Sequence, residues 1–284
     1  MSRLTWPGDA VELDYPNPAR VHDALLGGAF NFAADRRLAR ALTTAVAGIE
    51  LDARAERYFL HRAVRLCVDV GIRHFLDLGS GTPTVGNACH VAQHAAPDTR
   101  VLCVDIDPVV VELTRYLWRD NDRVGVLQAD LRWPDHVLDH HDLTALLNLD
   151  EPVAVLLVSV LHLVPDEDDP WAVVARLGDR LAPGSHLVIS HTTSDCPGGD
   201  VPVRRELIRR AGLPETVRTS HQIRRLFTGF DLVEPGLVHA PRWRPDRDDE
   251  GGAEQRHRSR VLAGVAVKPA PSSVLGDGGG GLAH

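Results

Sequence analysis

The sequence predicts an α/β chain built on a doubly wound, mostly parallel sheet, and three stretches carry that prediction. The first is His74-Phe75-Leu76-Asp77-Leu78, an apolar strand running into the turn Gly79-Ser80-Gly81-Thr82-Pro83-Thr84 and then the apolar-periodic segment Val85 to Ala95. Strand, Gly-rich turn and helix make the first unit of a nucleotide-type α/β domain. The second is Val101 to Asp105, an apolar strand ending in an acid 24 positions after Gly81. The third is Val153 to Val158, a continuous run of Val, Ala and Leu of the kind a central strand shows when both faces are covered.

In chain order, residues 1–16 are Pro-rich and acidic and read as an irregular arm. Arg20 to Leu26 reads as a short helix stopped by Gly27-Gly28, and Asn31 as the N-cap of a second helix through Ala33, Leu38 and Leu42. Helix, double glycine, helix ahead of a ligand-binding sheet makes a hinged pair, suited to serve as a lid that excludes water from a pocket. Plain packing against the sheet is the alternative. A longer helix follows from about Ala53 to Asp69, with Tyr58, Leu60, Val64 and Cys67 or Val68 at helical spacing, and Gly71 ends it.

Pro108 opens a helix after the second strand, since Pro is tolerated in a first turn. Val124 to Gln128 forms a third strand that delivers Ala129-Asp130-Leu131, and the polar stretch to Asp150 reads as a short helix and loop. Strand four, Val153 to Val158, ends at Ser159-Val160-Leu161-His162. Pro165 to Asp169 is an acidic turn, Trp171 to Leu181 a helix stopped by Pro183-Gly184, and His186 to His191 strand five. Val203 to Ala211 and His221 to Phe227 read as helices, the latter capped by Thr219 or Ser220. Phe230 to Val238 and Val261 to Val267 are the last two strands, joined by a charged linker, Arg242 to Arg260, expected to be mobile. From Pro269 onward, Pro, Ser and Gly cannot bury a core, so a disordered tail is expected. The resulting division is an arm and helical lid over 1–52, a sheet domain over 53–268 and a tail over 269–284.

The chemistry concentrates at the strand ends. Gly79 and Gly81 lack Cβ, so the backbone can adopt unusual φ and let a ligand lie against its N–H groups. A dinucleotide fingerprint wants a third glycine where Thr84 stands, and Asp77 lies two residues before the first glycine. A carboxylate there repels pyrophosphate and suits the amino-acid part of S-adenosylmethionine. Asp105 is placed to accept two ribose hydroxyls, and Asp130 or its neighbouring amide to read an adenine amino group. The candidate cofactor-binding set is therefore Asp77, Gly79, Ser80, Gly81, Thr82, Asp105, Ile106, Asp130, Leu131 and Ser159. His162 and His191 follow strand ends near where a transferable methyl group would point and are the candidate catalytic residues: His162 as a general base or equally a hydrogen-bonded wall residue, His191 as a second candidate for a substrate contact, a base being needed only if the nucleophile arrives protonated. His136 with His140 and His90 with His94 are four apart, but no third ligand accompanies either pair, so no metal is expected.

Asp77-x-Gly79-x-Gly81, then Val104-Asp105-x-Asp107-Pro108, then Ala129-Asp130-Leu131 resemble the three cofactor motifs of class I S-adenosylmethionine-dependent methyltransferases. Pro18 to Gly28, Asn31 to Arg36, Leu76 to Thr84 and Val153 to Val158 with Leu161-His162 are similar to the family described only as "S-adenosyl methyltransferase", formerly a domain of unknown function. The similarity spans about residues 12 to 268. It implies a Rossmann-like seven-stranded sheet with one antiparallel strand placed by a final hairpin, and S-adenosylmethionine as cofactor with S-adenosylhomocysteine as product. It implies no particular acceptor. One departure stands out: Glu56 precedes Arg57 where that family is expected to carry Asn.

Composition sets bounds on the rest. The 284 residues and 44% hydrophobic content are ample for a buried core. A net charge of −8 argues against a nucleic-acid partner or an acidic membrane surface. Strand four runs into Ser-Val-Leu-His rather than an Asn- or Asp-Pro-Pro-aromatic turn, which also argues against nucleic-acid methylation. Four cysteines, Cys67, Cys89, Cys103 and Cys196, lack C-x-x-C spacing and read as reduced thiols. With no signal core at the first residues and no apolar run long enough to span a bilayer, a cytoplasmic monomer or homodimer acting on a small-molecule acceptor is expected. The rival readings are a non-catalytic S-adenosylmethionine-binding protein or sensor and, less in keeping with Asp77 and Thr84, an NAD-dependent oxidoreductase.

Overall fold

A computed structural model describes residues 13–84, 86–196, 201–246 and 259–270. Most of the expected arm, position 85, the middle of the charged linker and the tail from 271 onward lie outside the described residues.

The chain opens with three helices: α1 (Pro18–Leu25), α2 (Ala33–Ala45) and α3 (Ile49–Asp69). Asn17 caps α1, its side chain accepting from Ala19 N at 2.9 Å, with Pro18 in the first turn. The cap of α2 is Phe32 rather than Asn31: Asp35 reaches back to accept from Phe32 N at 2.7 Å. Asn31 is instead drawn away by Asp23, whose Oδ2 accepts from its Nδ2 at 2.7 Å. Helix α3 begins four residues earlier than its apolar spacing alone indicates, because Gly48 adopts φ +78 and turns the chain out of α2.

The sheet follows: β1 (His74–Leu78), α4 (Ala88–Ala95), β2 (Arg100–Asp105), α5 (Pro108–Trp118), β3 (Val124–Gln128), α6 (Pro134–Leu138), α7 (His141–Leu146), β4 (Val153–Val158), α8 (Pro170–Arg180), β5 (His186–Thr192), α9 (Val201–Arg210), α10 (Ser220–Arg225), β6 (Asp231–Leu232), β7 (Val238–His239) and β8 (Val261–Val267). Strand order is β3-β2-β1-β4-β5-β8-β6, with β7 also on β8. β1 to β5 are parallel, and β8 runs antiparallel to β5. The expected edge strand Phe230 to Val238 is split into β6 and β7, since Pro235 offers no N–H to a ladder and Gly236 takes φ +84. The fold is thus the expected doubly wound sheet, with eight strands where the split edge is counted twice.

Alternation along the strands divides the core. Leu76, Leu102, Val155 and Leu187 pack under Leu138, Leu143, Leu177 and Ile223 from α6, α7, α8 and α10. Phe75, Val101, Leu156 and Val188 face Phe59, Val64 and Cys89 from α3 and α4. A third, smaller core joins Val21, Leu38, Leu42 and Ile49 of the N-terminal helices to Leu207 and Ile208 of α9. No helix among the described residues is long and apolar enough to cross a membrane.

Candidate functional site

The strand order reverses between β1 and β4, and the crevice beyond the carboxyl ends of strands at such a switch is where ligands bind in open α/β sheets. A cavity of about 520 Å³ lies there, floored by the ends of β1 to β5 and roofed by α1, α2, α3 and α9.

The glycine loop is wrapped onto β2. Gly79 N and Ser80 N donate to Val104 O at 2.8 and 3.1 Å, and Gly81 N donates to Asp105 Oδ2 at 2.9 Å. Both glycines take positive φ, +71 and +66. A Cβ at Gly79 would sit 2.3 Å from Val160 Cγ2, whereas one at Gly81 would meet nothing within 4 Å, so the loop is pressed against the turn after β4 on one side and open on the other. Asp105 also accepts from Asp107 N at 3.0 Å. Burial pushes its carboxyl up to about 6.

Asp77, at the end of β1, is 6% exposed. Burial is the main influence raising its carboxyl to about 7; Arg57 pulls it down and Asp105 pushes it up. Arg57 lines the same cavity and donates to Gly86 O at 3.2 Å, so a cation and an acid face the space above the loop together. Asp130, beyond β3, holds Arg132 with contacts of 2.6 to 3.0 Å, which lower its carboxyl against the opposing effect of partial burial. Ile106 and Leu131 line the cavity beside these acids, and Ser80 and Thr82 complete the loop wall.

Several residues of the site carry no sequence signal of their own. Asp23 of α1, fully buried, accepts from Thr84 Oγ1 at 2.7 Å, Thr82 Oγ1 at 3.3 Å and Phe30 N at 2.8 Å. It therefore ties the N-terminal helices to the ligand loop, and Thr84 stands at the third glycine position as a tether. Glu56 of α3, 6% exposed, accepts from Ser159 Oγ at 3.0 Å and Ser190 Oγ at 3.5 Å, beside His22 Nε2 at 3.4 Å. Ser159, with φ +57, is itself held by its N–H donating to Ser190 Oγ at 2.9 Å. The signal for Glu56 was its departure from the resemblance; His22 and Asp23 lie in the Pro18 to Gly28 stretch that carries the resemblance, without a mark of their own, and Arg204 and Glu215, which also line the cavity, lie in stretches whose spacing marks only helix or loop.

The two candidate catalytic histidines have different fates. His162 lines the cavity, and burial holds its imidazole well below the ordinary value, so it is neutral; its Nδ1 has no hydrogen-bond partner. His191 is not among the lining residues. Its Nδ1 is 2.7 Å from Thr192 O and its Nε2 2.8 Å from Arg218 Nη1. With a carbonyl on one nitrogen and a guanidinium on the other, the ring must donate from Nδ1 and accept at Nε2, which leaves no free lone pair. Burial and Arg218 push its titration down to about 4. The expected substrate contact at His191 is thus corrected: the ring buttresses Arg218, which also donates to Leu161 O and Val164 O and holds the turn carrying His162.

His136 and His140 do not pair on one helix, because α6 ends at Leu138. Among the described residues, His140, His141 and Asp142 bring three donor atoms within 4.8 Å of one another at the start of α7, and none of them lines the cavity. The cysteines are free; Cys89 and Cys103 lie with sulfurs 3.2 Å apart in the core.

Against known proteins, the family model for S-adenosyl methyltransferase matches residues 4–269. A Thermobifida fusca YX protein with a provisional methyltransferase designation is 38% identical, with 94% of this chain and 100% of that one covered at a TM-score of 0.85. A DUF574 family protein from Streptomyces avermitilis MA-4680 is 33% identical, covering 91% of this chain and 100% of that one at 0.86. No curated protein matches the chain.

Proposed function

Because the chain belongs to the S-adenosyl methyltransferase family, we propose that it transfers the methyl group of S-adenosylmethionine to a small-molecule acceptor inside this cavity. The observation that carries the reading is the arrangement of Asp77, Asp105 and Asp130 at the ends of three adjacent strands, around a glycine loop open at Gly81. Asp77 accepts from the cofactor's ammonium, and Arg57 donates to its carboxylate. Asp105, with lone pairs beyond those taken by Gly81 N and Asp107 N, accepts the ribose hydroxyls. Asp130 and Leu131 read the adenine edge, beside Ile106.

The bound cofactor supplies an electrophilic methyl on a sulfonium. The protein's own work is alignment and exclusion of water. The roof of α1, α2 and α9 closes the space above the β4 and β5 ends, and the Asp23 tether joins that roof to the loop. A roofed cavity favours a small acceptor over a polymer. Calorimetric titration with S-adenosylhomocysteine and S-adenosylmethionine, with NADH as control, tests the reading. Micromolar binding of the sulfur nucleosides without NADH is expected, and binding of NADH in their place would overturn it.

A further inference from the structure

Beyond the cofactor end, the cavity extends between α1, α2, α3 and α9, where Leu25, Leu38, Leu42, Ile208 and Leu213 form apolar walls. Four polar side chains line this chamber and carry buried atoms that have no hydrogen-bond partner. His22 Nε2 and His162 Nδ1 are two of them. Glu215, whose side chain is 3% exposed, lies 2.6 Å from Arg204 Nη2 as an ion pair, yet neither carboxylate oxygen receives an aligned hydrogen bond, and Arg204 Nε donates to nothing. Glu56 stands at the junction of the two ends, fixed by Ser159 and Ser190 from β4 and β5.

The balance of these groups defines the ligand. With Arg57 given to the cofactor carboxylate, two carboxylates, Glu56 and Glu215, are left with one guanidinium, Arg204, whose Nη2 is already shared with Glu215 and with Thr192 Oγ1 at 3.4 Å. The other acid on the wall, Asp52, is taken by Arg260 at 2.7 Å. The chamber therefore offers more acceptors than donors inside apolar walls. An anionic ligand would be repelled at Glu56, while a cationic or hydrogen-donating one gains a charge-assisted contact.

Resting on the methyl-transfer reading above, we propose that this chamber is the acceptor subsite and takes a small, largely apolar amine whose nitrogen is received by the Glu56 carboxylate. The bound ammonium first gives one proton to Glu56, which frees the nitrogen lone pair; as the C–N bond then forms, the C–S bond breaks, sulfur keeps its electron pair as a neutral thioether and the product is the N-methylated ammonium. From Glu56 the proton leaves through His22, 3.4 Å away with a side chain 27% exposed.

The test uses the full chain saturated with S-adenosylhomocysteine and titrated with phenethylamine and tryptamine, the matched alcohols, and the matched acids phenylacetate and indole-3-acetate. The amines should bind roughly tenfold or more tighter than either analogue, the scale of one charge-assisted hydrogen bond. Glu56→Gln should abolish that preference while leaving S-adenosylhomocysteine affinity within about twofold. Acids or alcohols binding as tightly as the amines, neither amine binding, or an unchanged preference in the variant each overturns the assignment. The selectivity of the native chain decides the matter even where the variant does not fold. Failure of S-adenosylhomocysteine itself to bind would instead sink the parent reading.

Discussion

In the folded, ligand-free protein the Asp77 carboxyl titrates at about 7, against an ordinary value of 3.8, chiefly because burial disfavours its charged form. The native state thus holds a proton that the unfolded chain gives up near 3.8. The stabilisation this provides is fully present below that value and is lost as pH rises through about 7. A ligand ammonium requires the opposite form, so cofactor affinity should rise over the same window. With a midpoint of about 7, the carboxylate fraction is roughly 0.91 at pH 8 and roughly 0.09 at pH 6, so this group alone should weaken S-adenosylhomocysteine binding about tenfold between them. Asp105, at about 6, adds its own loss only toward the lower end of that range. Asp77→Asn removes the titration without changing shape. At pH 8 the ligand-free variant should melt above the native protein, bind S-adenosylhomocysteine more weakly, and show a flatter affinity between pH 6 and 8. Thermal melts and calorimetric titrations across that range measure all three. A variant no more stable than the native protein at pH 8, or one that binds the ligand with undiminished affinity and pH slope, would refute the reasoning.

Asp105→Ala removes the acceptor for the Gly81 and Asp107 N–H groups and for the proposed ribose hydroxyls, and should reduce S-adenosylhomocysteine affinity by roughly 1–3 kcal/mol, read by the same titration. Arg218→Met leaves Leu161 O, Val164 O and His191 Nε2 without their buried donor. The loss should cost roughly 3–5 kcal/mol in denaturant unfolding, and a melt within about 1 kcal/mol of native would contradict the buttress role. Gly79→Ala meets both a φ of +71 and Val160 Cγ2 at 2.3 Å; adding Val160→Ala should recover part of the lost stability but not all, since the backbone strain remains. Gly28→Ala would place a Cβ 2.0 Å from Asp23 Oδ1. Disturbing that tether should raise hydrogen exchange at Phe30 and Phe32 more than in β1 or β4, and uniform protection would argue against a tie between roof and loop.

Much of this protein was legible from local chemistry. The Val153 to Val158 run, apolar at every position, had to lie under cover on both faces and sits between β1 and β5. Gly79 and Gly81 mark a turn that only residues without Cβ form readily, and the acids Asp77, Asp105 and Asp130 stand at or just beyond the carboxyl ends of their strands because strand ends and turn chemistry are short-range properties. By itself, then, the sequence determined the doubly wound sheet and the glycine turn and acids at its strand ends. The tertiary structure decided what each polar group does once packed. Asn31 lost its cap role to a carboxylate 8 residues away, and His191 became a buttress because Arg218, 27 residues on, reached its Nε2 first. Glu56 met Ser159 and Ser190 across separations of 103 and 134 residues. Hydrogen-bond satisfaction and burial depend on who arrives in three dimensions, and periodicity carries no record of that.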